Sequence, residues 1–180
     1  MNALRILLIM VMSLMLTACF GMPENVTPVK NFEVDRYLGK WYEIARLDHS
    51  FERGLNNISA EYTMRDDGGI AVVNRGYSVE DGQWETAEGK AYFVNDKDEA
   101  YLKVSFFGPF YGSYVVFELE QDNYDYAFIS GPNTSYLWLL SRTPDVAQSV
   151  IDDFITMSQE RGFDTSELIF VNHDRDSHRD

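Results

Sequence analysis

The sequence predicts an all-β domain with one C-terminal helix, folded as an eight-stranded up-and-down antiparallel β-barrel. Three observations carry this. Between Gly39 and Thr143, eight strand-like segments follow one another with short turn signals between them, the spacing of a meander. No connection among them has room for a crossover helix, which argues against a parallel α/β sheet. The chain carries 12 Phe, 11 Tyr and 3 Trp against 5 Pro, a composition weighted toward strands. A meander this long exposes two edges unless it closes, and eight closed strands leave room for one small ligand.

Met1 to Ala18 reads as a cleavable signal segment. Arg5 supplies its positive start, and Ile6 to Leu16 is a mainly apolar run, too short for the roughly 20 residues a membrane span requires. The tetrapeptide Leu16-Thr17-Ala18-Cys19 resembles the bacterial lipoprotein box, in which the cysteine becomes the acylated mature N-terminus. Phe20 follows it, where an Asp would be the inner-membrane retention signal. The resemblance therefore implies attachment to the outer membrane through lipidated Cys19. Several acyl chains on one residue make such an anchor stable. Residues 19–30, with two prolines and no periodicity, read as a tether.

The strand candidates are Lys40–Leu47, Asn57–Arg65, Ile70–Tyr77, Gln83–Val94, Ala100–Phe107, Ser113–Glu120, Tyr124–Ser130 and Ser135–Arg142. Their turns are marked by Asp66-Asp67-Gly68-Gly69, Asp81-Gly82, Gly108-Pro109 and Gly131-Pro132-Asn133. Alternation gives most strands one core face: Ile58, Ala60, Tyr62 and Met64 on one, Leu102, Val104 and Phe106 on another. Tyr136, Trp138, Leu140 and Arg142 share a face of the last of them. Helix 145–161 follows, with Val146, Val150, Phe154 and Met157 as the stripe that covers the outer wall. Glu167 to Asn172 is a last strand, and the domain 31–173 ends in a solvated tail, 174–180.

Charge and cysteine count narrow the function. Lys+Arg is 15 against 29 Asp+Glu, a formal net charge of -14, which repels phosphate backbones and excludes nucleic acid as a natural partner. Cys19 is the single cysteine, so an internal disulfide and a multi-cysteine metal site are excluded.

Gly39-Lys40-Trp41-Tyr42-Glu43-Ile44-Ala45-Arg46 resembles the first lipocalin signature, a Gly-x-Trp opening the first strand. Asn31 to Leu38 looks like the helical turn that plugs the barrel base in that family, and Arg142 matches the third signature. Asp122-Asn123-Tyr124 matches the second only partly. Gly39, Trp41 and Arg142 thus form the structural signature, and a guanidinium over an indole face would close one end. Phe51-Glu52-Arg53-Gly54, Glu88-Gly89-Lys90-Ala91-Tyr92-Phe93, Lys103 to Gly112 and Leu139 to Pro144 further resemble the bacterial lipocalins.

The resemblance implies a fatty acid or lysophospholipid in the cavity, for lipid storage, transport or membrane maintenance under stress. Trp138, Tyr136, Tyr62, Met64, Val104, Phe106, Val115 and Phe117 are the expected lining, with Trp138 mid-cavity. No cofactor and no metal are implied. Enzyme readings find no support: a Gly-x-Ser-x-Gly elbow is missing, and His49, His173 and His178 fall in a turn and the tail. The alternative is a filled barrel acting as an envelope interaction module through the aromatic hairpin Phe106 to Tyr111.

Overall fold

Strands with one apolar face each must turn those faces toward a shared interior, and here they do so by closing a ring. The computed structural model describes residues 21–175. The expected signal peptide, Cys19 and the last tail residues, 176–180, lie outside the described residues. A short helix, α1 (Val34–Tyr37), precedes β1 (Gly39–Arg46), β2 (Leu55–Met64), β3 (Ile70–Ser78) and β4 (Gln83–Phe93). Then come β5 (Tyr101–Ser105), β6 (Gly112–Leu119), β7 (Tyr126–Ser130) and β8 (Leu137–Ser141). Sequence neighbours pair antiparallel, and β1 pairs with both β2 and β8 to close the barrel. Helix α2 (Gln148–Glu160), a 3-10 turn (Thr165–Glu167) and β9 (Ile169–Phe170) complete the chain, with β9 pairing antiparallel to the end of β1.

Alternation splits the apolar residues between two cores. Trp41, Tyr62, Val72, Leu102, Val116 and Leu140 pack inside the barrel. Ala45, Val115, Phe117, Phe128 and Leu139 face outward, where α2 covers them. Phe154 of α2 is fully buried, its ring edge-on to Phe128 with centroids 5.0 Å apart; burying such a side chain contributes about 1.5–3 kcal/mol. The helix begins at Gln148, later than the Asp145 that the sequence suggests. Thr143 turns its hydroxyl to the Asp145 carbonyl instead of capping a helix, and Ala147 remains extended.

Both flanks are more ordered than their composition suggests. The described part of the 19–30 segment is no free tether but runs along the outer wall. Val26 is buried in the outer core, and the Val29 N–H donates to the Val116 carbonyl (2.9 Å). Lys30 forms a β-bridge with Glu99. At the other flank, the Asn57 amide donates to the Asp174 carboxylate (3.1 Å) and accepts from the Arg175 N–H (2.8 Å). The expected solvated tail is therefore held through Arg175. Apolar residues among prolines and a chain-end hydrogen-bond donor leave no periodic trace to read.

Candidate functional site

Gly39 enters β1 at φ +92°, a conformation that glycine adopts without strain, close to Arg142. Two residues later, Trp41 is fully buried and its indole N–H donates to the Tyr37 carbonyl (2.8 Å). The Arg142 guanidinium lies over that indole, 3.9 Å from the ring centroid. It donates to the carbonyls of Tyr124 (3.2 Å), Lys40 (3.0 Å) and Arg36 (2.6 Å). Residues from α1, β1, the β6–β7 connection and the end of β8 are thereby fastened by one side chain. This end is closed.

Above that base lies a cavity open at its far end, enclosing about 870 Å³ when the solvent space at its mouth is included. Its walls are mainly apolar: Ile58, Ala60, Ile70, Val72, Leu102 and Val104 among others. Toward the base, the Tyr114 hydroxyl meets those of Tyr37 (2.6 Å) and Tyr62 (3.1 Å). Burial pushes all three phenols up, so they stay neutral. Asn74 Oδ1 and Ser113 Oγ, both in lining residues, have no hydrogen-bond partner among the described residues.

The mouth is defined by the antiparallel alternation. The β1–β2, β3–β4, β5–β6 and β7–β8 connections all lie opposite the Trp41–Arg142 base. Phe51, from the first of these, lines the cavity while 55% exposed. Just inside it is a buried charged network. Arg46 donates to Glu43 (2.9 Å) and to the Glu52 carbonyl (2.9 Å). The Glu52 carboxylate accepts from the Trp138 indole (3.1 Å) and lies 3.1 Å from His49 Nε2. Burial, with Glu52 nearby, pushes the Glu43 carboxyl well up despite Arg46. Burial opposes ionisation of Glu52 too, but His49, the Trp138 N–H and Arg46 hold its carboxyl below the usual value. The two carboxyls are thus shifted in opposite directions.

Of the expected lining residues, Trp138, Tyr62, Val104 and Phe106 border the cavity. Trp138 stands near the mouth and not at mid-depth, since it pairs with Arg46 at the upper end of β1. Phe106 reaches across β4 because Gly89 has no Cβ, which would sit 2.8 Å from its ring. Tyr136 lies at the rim, stacked with His49 and Phe51. Met64 is 42% exposed, because it pairs beside the 65–69 turn where β2 leaves the barrel. Val115 and Phe117 belong to the outer core, and Tyr114 and Val116 take the inner positions. A strand apolar on both faces gives no phase, and a shift of one residue inverts it. Glu43, Glu52, His49 and Tyr114 are cavity and mouth residues that sequence reasoning missed. His49 falls in the β1–β2 connection, as its turn position suggests, yet is only 5% exposed. Glu43 alone left a signal: it shares the inward phase of Trp41.

Comparison with known proteins agrees with this geometry. Residues 32–173 match the lipocalin-like domain family. The chain is 66% identical over 168 residues to the outer membrane lipoprotein Blc of Vibrio cholerae, covering 93% of this chain and 98% of that one. It is 51% identical over 149 residues to the protein of the same name in Escherichia coli K12, with 83% and 84% covered. Insecticyanin from the tobacco hornworm Manduca sexta superposes with a TM-score of 0.67 at 23% identity, covering 84% of this chain and 86% of that one; this likeness concerns the fold alone. With the Gly39–Trp41–Arg142 closure and the family match over most of its length, the chain belongs to the lipocalin family.

Proposed function

We propose that this protein is a non-enzymatic lipocalin, anchored to the outer membrane through acylated Cys19, that carries a fatty acid or lysophospholipid in its barrel. Storage, transport or maintenance of membrane lipid is the task that follows. The observation that carries this reading is the open cavity, closed at one end by Trp41 and Arg142 and apolar along its walls. An acyl chain needs such a dry tube and gains about 0.8 kcal/mol per buried CH₂. Asn74, Ser113 and Glu52, all bordering the cavity, offer hydrogen bonds to a polar end lying toward the mouth. The names of the Vibrio and Escherichia relatives support the outer-membrane assignment. The filled-barrel alternative is disfavoured by the volume left open.

Mass spectrometry of lipid extracted from the purified protein tests the cargo. One single-chain lipid retained per barrel, natively or after exposure to lysophospholipid, is expected; no retention of either class overturns the reading. For the anchor, Cys19→Ala should abolish acyl labelling and membrane pelleting. Label and pelleting that persist would contradict it.

A further inference from the structure

The mouth carries a feature that lining the cavity does not require. Among the described residues, the four most exposed large apolar side chains are Phe107 (80%), Phe110 (77%), Val79 (62%) and Phe51 (55%). All four lie in connections at the mouth: Phe51 between β1 and β2, Val79 between β3 and β4, Phe107 and Phe110 between β5 and β6. The base connections instead carry Asp66, Asp67, Asp96, Asp98 and Asp122, groups that keep to water.

The N-terminal segment arrives at the same end. Gly21 sits against the β7–β8 connection, where a Cβ on it would lie 3.8 Å from the Pro132 carbonyl oxygen. From there the chain descends the outer wall to the Lys30–Glu99 bridge near the base. Cys19 precedes Gly21 by two residues, a reach of at most about 7 Å. An anchor at Cys19 would therefore tether the barrel from the mouth end and not from the base.

We infer that the barrel rests mouth-down on the zwitterionic phospholipid surface that holds its anchor, with Phe51, Val79, Phe107 and Phe110 in the interfacial layer. A lipid then passes between bilayer and cavity without crossing open water. The inference builds on the acylation of Cys19 and the lipid cargo proposed above. Attraction is apolar: the rim bears Glu80, Asp81 and the Asp48–Arg53 ion pair, and the chain's net charge is -14. Docking should accordingly be insensitive to salt.

The test uses the acylated full-length lipoprotein in phosphatidylethanolamine–phosphatidylcholine vesicles. With Cys19, the single cysteine, acylated, an introduced thiol takes an environment-sensitive fluorophore cleanly. Labels on Phe107→Cys and Phe110→Cys should shift to the blue and be quenched by lipids spin-labelled at headgroup depth, while a label on Lys97→Cys at the base should not. Quenching at position 97 alone, or equal behaviour at all three, would overturn the orientation. Labels that stay in water on vesicles and respond only in native envelope preparations would assign the hairpin to a protein partner, which also overturns it. A Phe107→Ser/Phe110→Ser variant should keep its equilibrium affinity for lysophospholipid but take it up from vesicles about tenfold more slowly; an unchanged rate contradicts the transfer role. Failure of the cargo reading is distinguishable, because it abolishes saturable binding while leaving the quenching pattern intact.

Discussion

Each end of the barrel uses a tryptophan and an arginine, with opposite results. At the base, Arg142 satisfies itself on three backbone carbonyls and lies over Trp41. No carboxylate takes part in those contacts, so the plug is held by backbone geometry and packing. At the mouth, Arg46 is buried against Glu43, and Trp138 donates to Glu52. That network is made of titratable side chains facing a cavity. The contrast teaches that the same residue types build a permanent closure when backbone groups are their partners. They build an adjustable lining when side chains are. Stability should therefore be concentrated at one end, and binding with pH response at the other.

The largest expected effect is at the base. Trp41→Ala removes a fully buried indole and should cost about 3–5 kcal/mol, read as a lower urea midpoint. Arg142→Ala should also destabilise, and a double-mutant cycle with Trp41 should give a coupling of about 2 kcal/mol. Coupling near zero would show that the base is held by packing alone. Trp138→Ala should be milder, about 1–2 kcal/mol for the lost hydrogen bond to Glu52, and should alter lipid affinity, which the base variants leave unchanged. If Trp138→Ala costs as much as Trp41→Ala with no change in binding, the two ends are equivalent and the contrast fails.

A subtler prediction concerns pH. Because the folded state raises the Glu43 carboxyl above its ordinary value of 4.5, the folded chain binds more protons than the unfolded one above that pH. Glu43 thus contributes stability that is full below about pH 4.5 and is lost as pH rises through its folded value. Glu52, held low, contributes in the opposite sense: its share is present above the ordinary value and lost as pH falls through the folded one. Glu43→Gln should flatten the decline on the alkaline side and leave the acid limb, as urea midpoints from pH 4 to 8 would show. A decline unchanged by Glu43→Gln would place its cause elsewhere.

The same division governs what could be read from sequence. Strand order and barrel closure were legible because alternation and turn residues are local, and the base plug was legible through the resemblance of Gly39, Trp41 and Arg142 to the family signatures. Every strand boundary falls within two residues of its expected place. The mouth was not. His49 and Glu52 belong to an irregular connection with no period, and only folding brings them against Trp138. Val115 and Phe117 were assigned inward because β6 is apolar on both faces, and it was the neighbouring Tyr114 and Val116 that took the interior.

Titration of a long-chain fatty acid or a lysophospholipid into the chain lacking residues 1–20 tests the account most directly. Saturable binding at one lipid per barrel, with a Kd below about 100 µM, or roughly -5.5 kcal/mol, is expected. It should be accompanied by a change in tryptophan fluorescence that Trp138→Phe removes. No saturable binding up to that concentration, or a fluorescence change that persists in Trp138→Phe, would contradict a lipid site opening at the mouth.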